Sequence, residues 1–279
     1  MIKKFVVGLT LNVIAYIIGV VWCLPLIGLL MASVRPYNEI VSGWWNLQEF
    51  HITFDNFIKA WYSEPFPLGQ GFINSFIVTI PSTLIPLMAG AFAAYGFSRF
   101  NFPLRDYFFM MLVVFYAMPL QAIALPVFRI LNSLKLLNTF PGLILVHSAW
   151  GVSFATIFLR NYFQTLPREV EEAAKVDGAS DFQIFFKIIF PMSLPGVISV
   201  LILQFSWVWS DFFFALLYIH SPEKYLATQS LVMMGGVYQI SWNLLAAGSI
   251  LVTLVPVIFY ALLQKHFIRG MSGWVTGKG

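Results

Sequence analysis

Glu172-Ala173-Ala174-Lys175-Val176-Asp177-Gly178, followed after nine residues by Ile188-Ile189-Phe190-Pro191, is a charged, helix-forming island between two long apolar segments. Pro167 suits the first turn of a helix, and Glu169, Glu171 and Glu172 crowd its positive amino-terminal end, where carboxylates are favourable. Val170, Ala173 and Ala174 fall at helical spacing and make a small apolar face. Gly178 is a natural left-handed terminator. Ser180-Asp181-Phe182-Gln183 then reads as a capping box opening a second short helix, which Pro191 limits. Two helices this short have little to bury by themselves, so the loop from about 160 to 191 is expected to be held by something else. A helix lying flat on lipid is the alternative. Its acidic first turn argues against that, because surface helices show Lys and Arg to anionic headgroups.

The flanking segments set the class. Of 279 residues, 59% are hydrophobic, 18% aromatic and only 10% charged, where a soluble domain carries roughly a quarter charged. A helix needs about 20 apolar residues to cross the hydrocarbon, and six segments qualify: Phe5–Val34, Phe72–Phe97, Tyr107–Phe128, Phe140–Leu159, Leu194–Ile219 and Leu244–Leu263. Continuous apolar runs favour helices over a barrel, whose strands alternate over about ten residues. Lys3-Lys4 before an apolar run also fits a secretory signal peptide. That run is about twice a normal signal core and five more spans follow, so a retained first helix is expected. The single cysteine, Cys23, excludes disulfides within the chain and cysteine-ligated metal sites.

Orientation follows from lysine and arginine placement. With the amino terminus inside, Lys3, Lys4, Arg99, Arg105, Arg160, Arg168, Lys175, Lys187, Lys265, Arg269 and Lys278 are cytoplasmic; Arg35, Lys59, Arg129, Lys135 and Lys224 are external. Eleven against five predicts both termini in the cytoplasm. The net charge of +4 has the same source, so no nucleic-acid site is read into it. The whole of 1–279 reads as one transmembrane domain with an external loop at about 35–70 and a cytoplasmic tail at about 265–279.

Polar groups inside spans are the candidate functional residues. The external loop holds Trp44-Trp45 and aromatics around Asp55-Asn56-Phe57, which suit the interfacial belt or a docking surface. Small residues at Ala89, Gly90, Ala91, Ala93, Ala94 and Gly96 let the second helix approach its neighbours closely. In the third, Met118-Pro119-Leu120-Gln121 and Pro126 break the backbone ladder, which marks either a pathway-lining kink or a structural one. The fifth carries Gln204, Trp207, Ser210 and Asp211, with 204, 207 and 211 on one helical face. Asp211 is a functional candidate or an interhelical hydrogen-bonding group. His147 has no second histidine or carboxylate at ligand spacing and reads as a hydrogen-bonded packing residue.

At the loop quoted first, the chain resembles the membrane permeases of binding-protein-dependent ABC importers. Their signature is Glu-Ala-Ala, three residues, Gly, nine residues, Ile, any residue, Leu-Pro. Glu172, Ala173, Ala174, Gly178, Ile188 and Pro191 match, and Phe190 replaces Leu with another apolar residue. The stretches at Asp55-Asn56-Phe57, Asn74-Ser75, Ala94 to Arg99, Met118 to Gln121, Trp207 to Phe212 and Gln264 to Gly270 are similar to carbohydrate permeases. The short amino terminus and glycine-rich tail resemble the second permease subunit of maltose-type transporters. Ser210 departs from a common Asn, and Gly273 to Gly279 only approximates the family ending.

The resemblance implies an all-α membrane protein with six transmembrane helices, both termini cytoplasmic, in the type I ABC importer permease fold of the cell membrane. It implies partnership with a homologous permease, two ATPase subunits and an external sugar-binding protein, with a sugar as substrate and lipid around the spans. Glu171, Glu172, Ala173, Ala174, Asp177, Gly178, Ile188 and Pro191 are then the ATPase-coupling residues. Gln121, Gln204, Trp207 and Asp211 are candidates for the translocation path, since sugars are held by amide and carboxylate groups over an aromatic platform. The chain has no Gly-x-x-x-x-Gly-Lys-Ser/Thr phosphate loop. It is therefore expected to be non-catalytic and without a cofactor or metal of its own, ATP and Mg2+ belonging to the partner ATPases. An ion-coupled carrier would need more titratable groups near the midplane than Asp211 supplies. A permease for glycerol phosphate would want Arg or Lys facing the path, and the expected spans contain none.

Overall fold

A computed structural model describes residues 2–62, 64–235 and 241–275. Its helices, in chain order, are α1 (Ile2–Ser33), α2 (Tyr37–Ile40), α3 (Asp55–Tyr62), α4 (Leu68–Arg99), α5 (Arg105–Ala117), α6 (Leu120–Ser133), α7 (Phe140–Gln164), α8 (Glu169–Val176), α9 (Asp181–Ile184), α10 (Phe190–Met192), α11 (Leu194–Trp209), α12 (Phe213–Tyr218), α13 (Ala227–Met234) and α14 (Trp242–Val275). Among the described residues there is no strand. Among the described residues four helices are long and apolar enough to cross a membrane, and up to six spans result if each of two bent helix pairs counts as one. α14 runs through Gln264 to Val275, well past the expected span, and residues 276–279 of the expected tail lie outside the described residues.

The predicted breaks are partly right. Pro119 has no N–H, and the residue before a proline avoids helical geometry. Met118 is extended (ψ 135°) and α5 meets α6 at 100°. Pro126 does not break the chain: it lies inside α6, where the cost is one missing backbone bond and the helix continues on both sides. The expected fifth span is likewise two helices, because Ser210-Asp211-Phe212 interrupts it between α11 and α12. α11 alone, at 1.5 Å per residue, reaches about 24 Å of the roughly 30 Å hydrocarbon.

The chain forms two compact units. Met1–Gly69 with Ser230–Thr253 make the first. Its loop is organised by Arg35, which is 1% exposed and donates to Glu39, Trp44 O, Asn46 O and Glu49 O. Asn56 donates to Ser33 O and Arg35 O and accepts from Asn243 Nδ2. In α1, residues 11–26 are all exposed on this chain.

Gln70–Gln229 with Leu254–Gly279 make the second unit. One of its cores joins Ala91, Ala94 and Tyr95 of α4 to Phe158, Leu159 and Phe163 of α7 and to Ile184, Phe185 and Ile189. The middle of the small-residue stripe acts as predicted, whereas Ala89 is exposed and nothing lies within 4 Å of a Cβ on Gly96: a Cβ on Gly90 would sit 2.5 Å from Ala155 Cβ and 3.0 Å from Thr156 N, so α4 and α7 approach to backbone contact. In lipid such close packing, rather than burial from water, holds helices together. A second core gathers Val78, Leu143, Val208, Phe214 and Tyr218. Asn74 clamps it by donating to Glu223 O and Tyr225 O, while Ser75 Oγ accepts from Ala227 N.

Candidate functional site

The loop between α7 and α11 follows the expected local chemistry. α8 begins at Glu169, so Pro167 stands just outside its first turn, and Glu169, Glu171 and Glu172 lie in that turn. Gly178 has φ +81°, and Ala179 N donates to Ala174 O while Gly178 N donates to Lys175 O. Those two bonds are the paired closure of a helix ended by a left-handed residue. Ser180 and Gln183 form the capping box of α9, and Lys175 reaches Asp181 at 3.1 Å across the turn. Pro191 does not end this helical run. Residues Phe185–Ile189 widen into a π-helix, Pro191 sits within α10, and the bend comes at Ser193. The wider turn gives room to a proline ring that otherwise collides with the carbonyl four residues earlier.

The inward face of α8 differs from the apolar one expected. Val170 is 41% exposed and Ala173 is exposed, Ala174 alone of the three being partly covered. The buried residue is Glu171, whose Oε1 takes Arg99 Nε at 2.7 Å and Arg99 Nη2 at 2.6 Å. Arg99 Nη2 also donates to Phe163 O. One guanidinium at the end of α4 thus pins α8 and the end of α7 together. Phe92 of α4 stacks on Phe182 and Phe185, holding the second half of the loop. With these anchors in place, Glu172, Ala173, Asp177, Gly178 and Pro191 are exposed, Val176 is 88% and Phe182 67% exposed, and Ile188 is half-buried. The loop is rigid on one side and bare on the other.

Three of the four expected path residues meet. Gln204, Trp207 and Asp211 line one cavity of about 20 Å³ in the second unit, with His147 and Trp150. Gln121 does not join them: it is exposed in the first turn of α6, where its neighbour Leu120 is the residue at the cavity. Gln204 is buried and donates through Nε2 to Ser82 O. Asp211 lies in the break, not on a helix. Its carboxylate accepts from Phe214 N and Ala215 N and so caps α12, where a negative charge meets free N–H groups. His147 Nε2 stands 3.6 Å from Asp211 Oδ2, so the histidine read as having no carboxylate at ligand spacing has one brought beside it by the break between α11 and α12. Sequence reasoning used Arg99 only for orientation and resemblance, assigned His147 to packing and passed over Trp150. The signal for His147 and Asp211 was that both are ionisable groups inside apolar segments, which pair in membranes.

The family model described as "Binding-protein-dependent transport system inner membrane component" matches residues 86–273. A probable ABC transporter permease protein of Pyrococcus horikoshii is 55% identical over 96% of this chain and 97% of its own length. An osmoprotective compounds uptake permease protein of Synechocystis is 35% identical, covering 94% of this chain and 90% of that protein. An alpha-glucoside transport system permease protein of Rhizobium meliloti is 36% identical over 81% of this chain and 60% of that protein. A bacterial ABC transporter involved in the import of the acidic polysaccharide alginate supplies a structural match at TM-score 0.81 and 20% identity, covering 95% of this chain and 98% of the other. At that identity the likeness speaks for the fold.

Proposed function

Since the chain belongs to the inner membrane components of binding-protein-dependent transport systems, we propose that it serves carbohydrate import and takes up ATP-driven movement through α8 and α9. The chain is a multi-pass, non-catalytic membrane component of such a system. A sugar as cargo is supported by the alpha-glucoside transport system to which one relative belongs and by the amide, carboxylate and indole groups converging at Gln204, Asp211 and Trp207. The proposed assembly contains a second homologous permease, two ATPase subunits that hold ATP and Mg2+, and an external sugar-binding protein. It sits in the cell membrane with six spans and both termini in the cytoplasm. ATP closure shifts the loop, and the permease pair rocks between inward- and outward-open states.

The observation that carries the coupling role is the two-sided loop: Glu171 locked to Arg99 within, and Glu172, Ala173, Asp177 and Gly178 bare without. An element anchored this way moves its host when a partner moves it. Gly178→Val tests the assignment. No atom lies within 4 Å of a Cβ there, so the penalty is the left-handed backbone, about 1 kcal/mol or more, paid locally. Membrane levels should stay normal while ATPase association weakens and uptake is lost. Full uptake by the variant overturns the coupling role. The relative that takes up osmoprotective compounds supports a second reading, an osmoprotective solute other than a sugar, and uptake competition between the two classes separates them.

A further inference from the structure

The cavity at Gln204 is bounded by polar atoms that the fold leaves unpartnered. His147 Nε2, Trp150 Nε1 and Gln204 Oε1 are each buried without a hydrogen bond to protein, and all three residues line the same space of about 20 Å³. Buried polar groups are almost always satisfied, so three orphans around one cavity mark a place built for a guest. About 10–15 Å³ suffices for one water-sized oxygen. This space takes one such group.

The orientation of each atom defines the guest's chemistry. Gln204 Nε2 is committed to Ser82 O at 3.1 Å, which turns Oε1 toward the cavity as an acceptor. Gly151 permits that placement, since a Cβ there would lie 2.5 Å from Gln204 Nε2. Trp150 Nε1 is a donor only. His147 Nε2 makes no hydrogen bond, its 3.6 Å to Asp211 Oδ2 being too long for one, and with the ring proton on that nitrogen it is a second donor. One acceptor and two donors complement an alcohol, which offers one O–H and two lone pairs. A carboxylate or phosphate oxygen has no proton for Gln204 and would meet the Asp211 carboxylate in the same lining, and an ammonium group has no lone pair for the two N–H donors. At the mouth Trp207 is 43% exposed, a flat ring beside the hydroxyl-sized space.

We infer that this cavity is a hydroxyl-binding subsite of the translocation path, in which His147 and Trp150 are specificity-determining residues that read one hydroxyl of a passing sugar. The inference rests on the carbohydrate reading above; the competing occupant is a fixed structural water.

The test uses the complete reconstituted importer in liposomes, screened for uptake of labelled maltose, trehalose and raffinose. The transported sugar is then compared with its monodeoxy analogues at saturating loaded binding protein. Wild type should move one analogue about tenfold more slowly than the parent, the worth of one well-made hydrogen-bonding group. Trp150→Phe and His147→Leu should slow the parent to nearly the rate of that analogue while leaving the analogue unchanged. His147→Asn, which keeps a donor, should recover part of the discrimination. If Leu at 147 prevents assembly, Trp150→Phe, which keeps the ring, carries the test alone. Equal slowing of parent and every analogue, or undiminished discrimination in the variants, assigns the cavity to water and overturns the subsite. Failure of the wild type to move any of the sugars overturns the carbohydrate reading itself, and the subsite falls with it.

Discussion

Glu171 shows how one residue's neighbours redefine its meaning. In sequence it is one of three acidic residues favouring a helix start; in the fold it is the buried half of an ion pair whose other half is Arg99. Removing one partner of a buried pair typically costs about 3–5 kcal/mol, because the survivor stays buried and uncompensated. Glu171→Ala should therefore speed hydrogen exchange of residues 168–178 far more than Glu172→Ala, whose side chain is exposed. Equal exchange in the two variants would remove Arg99 as the anchor. Glu39 makes a similar case in the first unit, with a pH signature. Burial pushes its carboxyl upward, and bonds from the His51 backbone, the His51 ring and Arg35 outweigh that and hold it below its ordinary 4.5. A depressed carboxylate stabilises the fold above its unfolded value and loses that contribution as pH falls through the folded one. Proteolytic protection of residues 35–51 should be flat from neutral pH down to about the ordinary carboxylate range and decline below it. Glu39→Gln should be less protected at neutral pH and lose this part of the acid dependence.

Elements whose signals are local were legible in the sequence, and elements set by distant contacts were not. The Gly178 terminator, the Ser180 capping box and the Pro119 break are each written within four residues, and each appears where it was expected. The orientation of α8 was not legible, because Val170 and Ala173 form an apolar face by spacing while Arg99, far upstream, draws the opposite face inward. The Asp211 break was missed for a related reason. Ser210-Asp211-Phe212 carries neither Gly nor Pro, and only the bonds that Phe214 N and Ala215 N donate to Asp211 reveal a second helix start. Losing such a cap costs about 1 kcal/mol. Asp211→Ala should lower the thermal midpoint of the purified protein more than Asp211→Asn, which retains one acceptor oxygen. If Asn and Ala are equally destabilising, the charge rather than the cap is what α12 requires.

At the scale of the molecule, the stretches that carried the family resemblance include two kinds. Asn56 and Asn74-Ser75 are internal clamps whose side chains fasten backbone to backbone; they preserve a fold and say nothing of cargo. The residues around Glu172 and Gly178 are bare on this chain, as are residues 11–26 of α1, and these are the surfaces that the proposed assembly would cover with partner subunits and lipid. Its chemistry is incomplete in the same sense. The sequence lacks a phosphate-binding loop, whose backbone amides and lysine are what hold a nucleotide's phosphates. No group of three His, Cys, Asp or Glu side chains among the described residues is placed to hold a metal ion. The purified chain in detergent should therefore release no phosphate from ATP above the level of a mock preparation. Adding the ATPase partners should bring hydrolysis, and the loaded sugar-binding protein should raise it further. If the loop couples the permease to the ATPases as proposed, Gly178→Val should blunt that rise. Hydrolysis by the chain alone, in a preparation free of its partners by mass spectrometry, would show that the energy source lies within this subunit and that α8 has some other task.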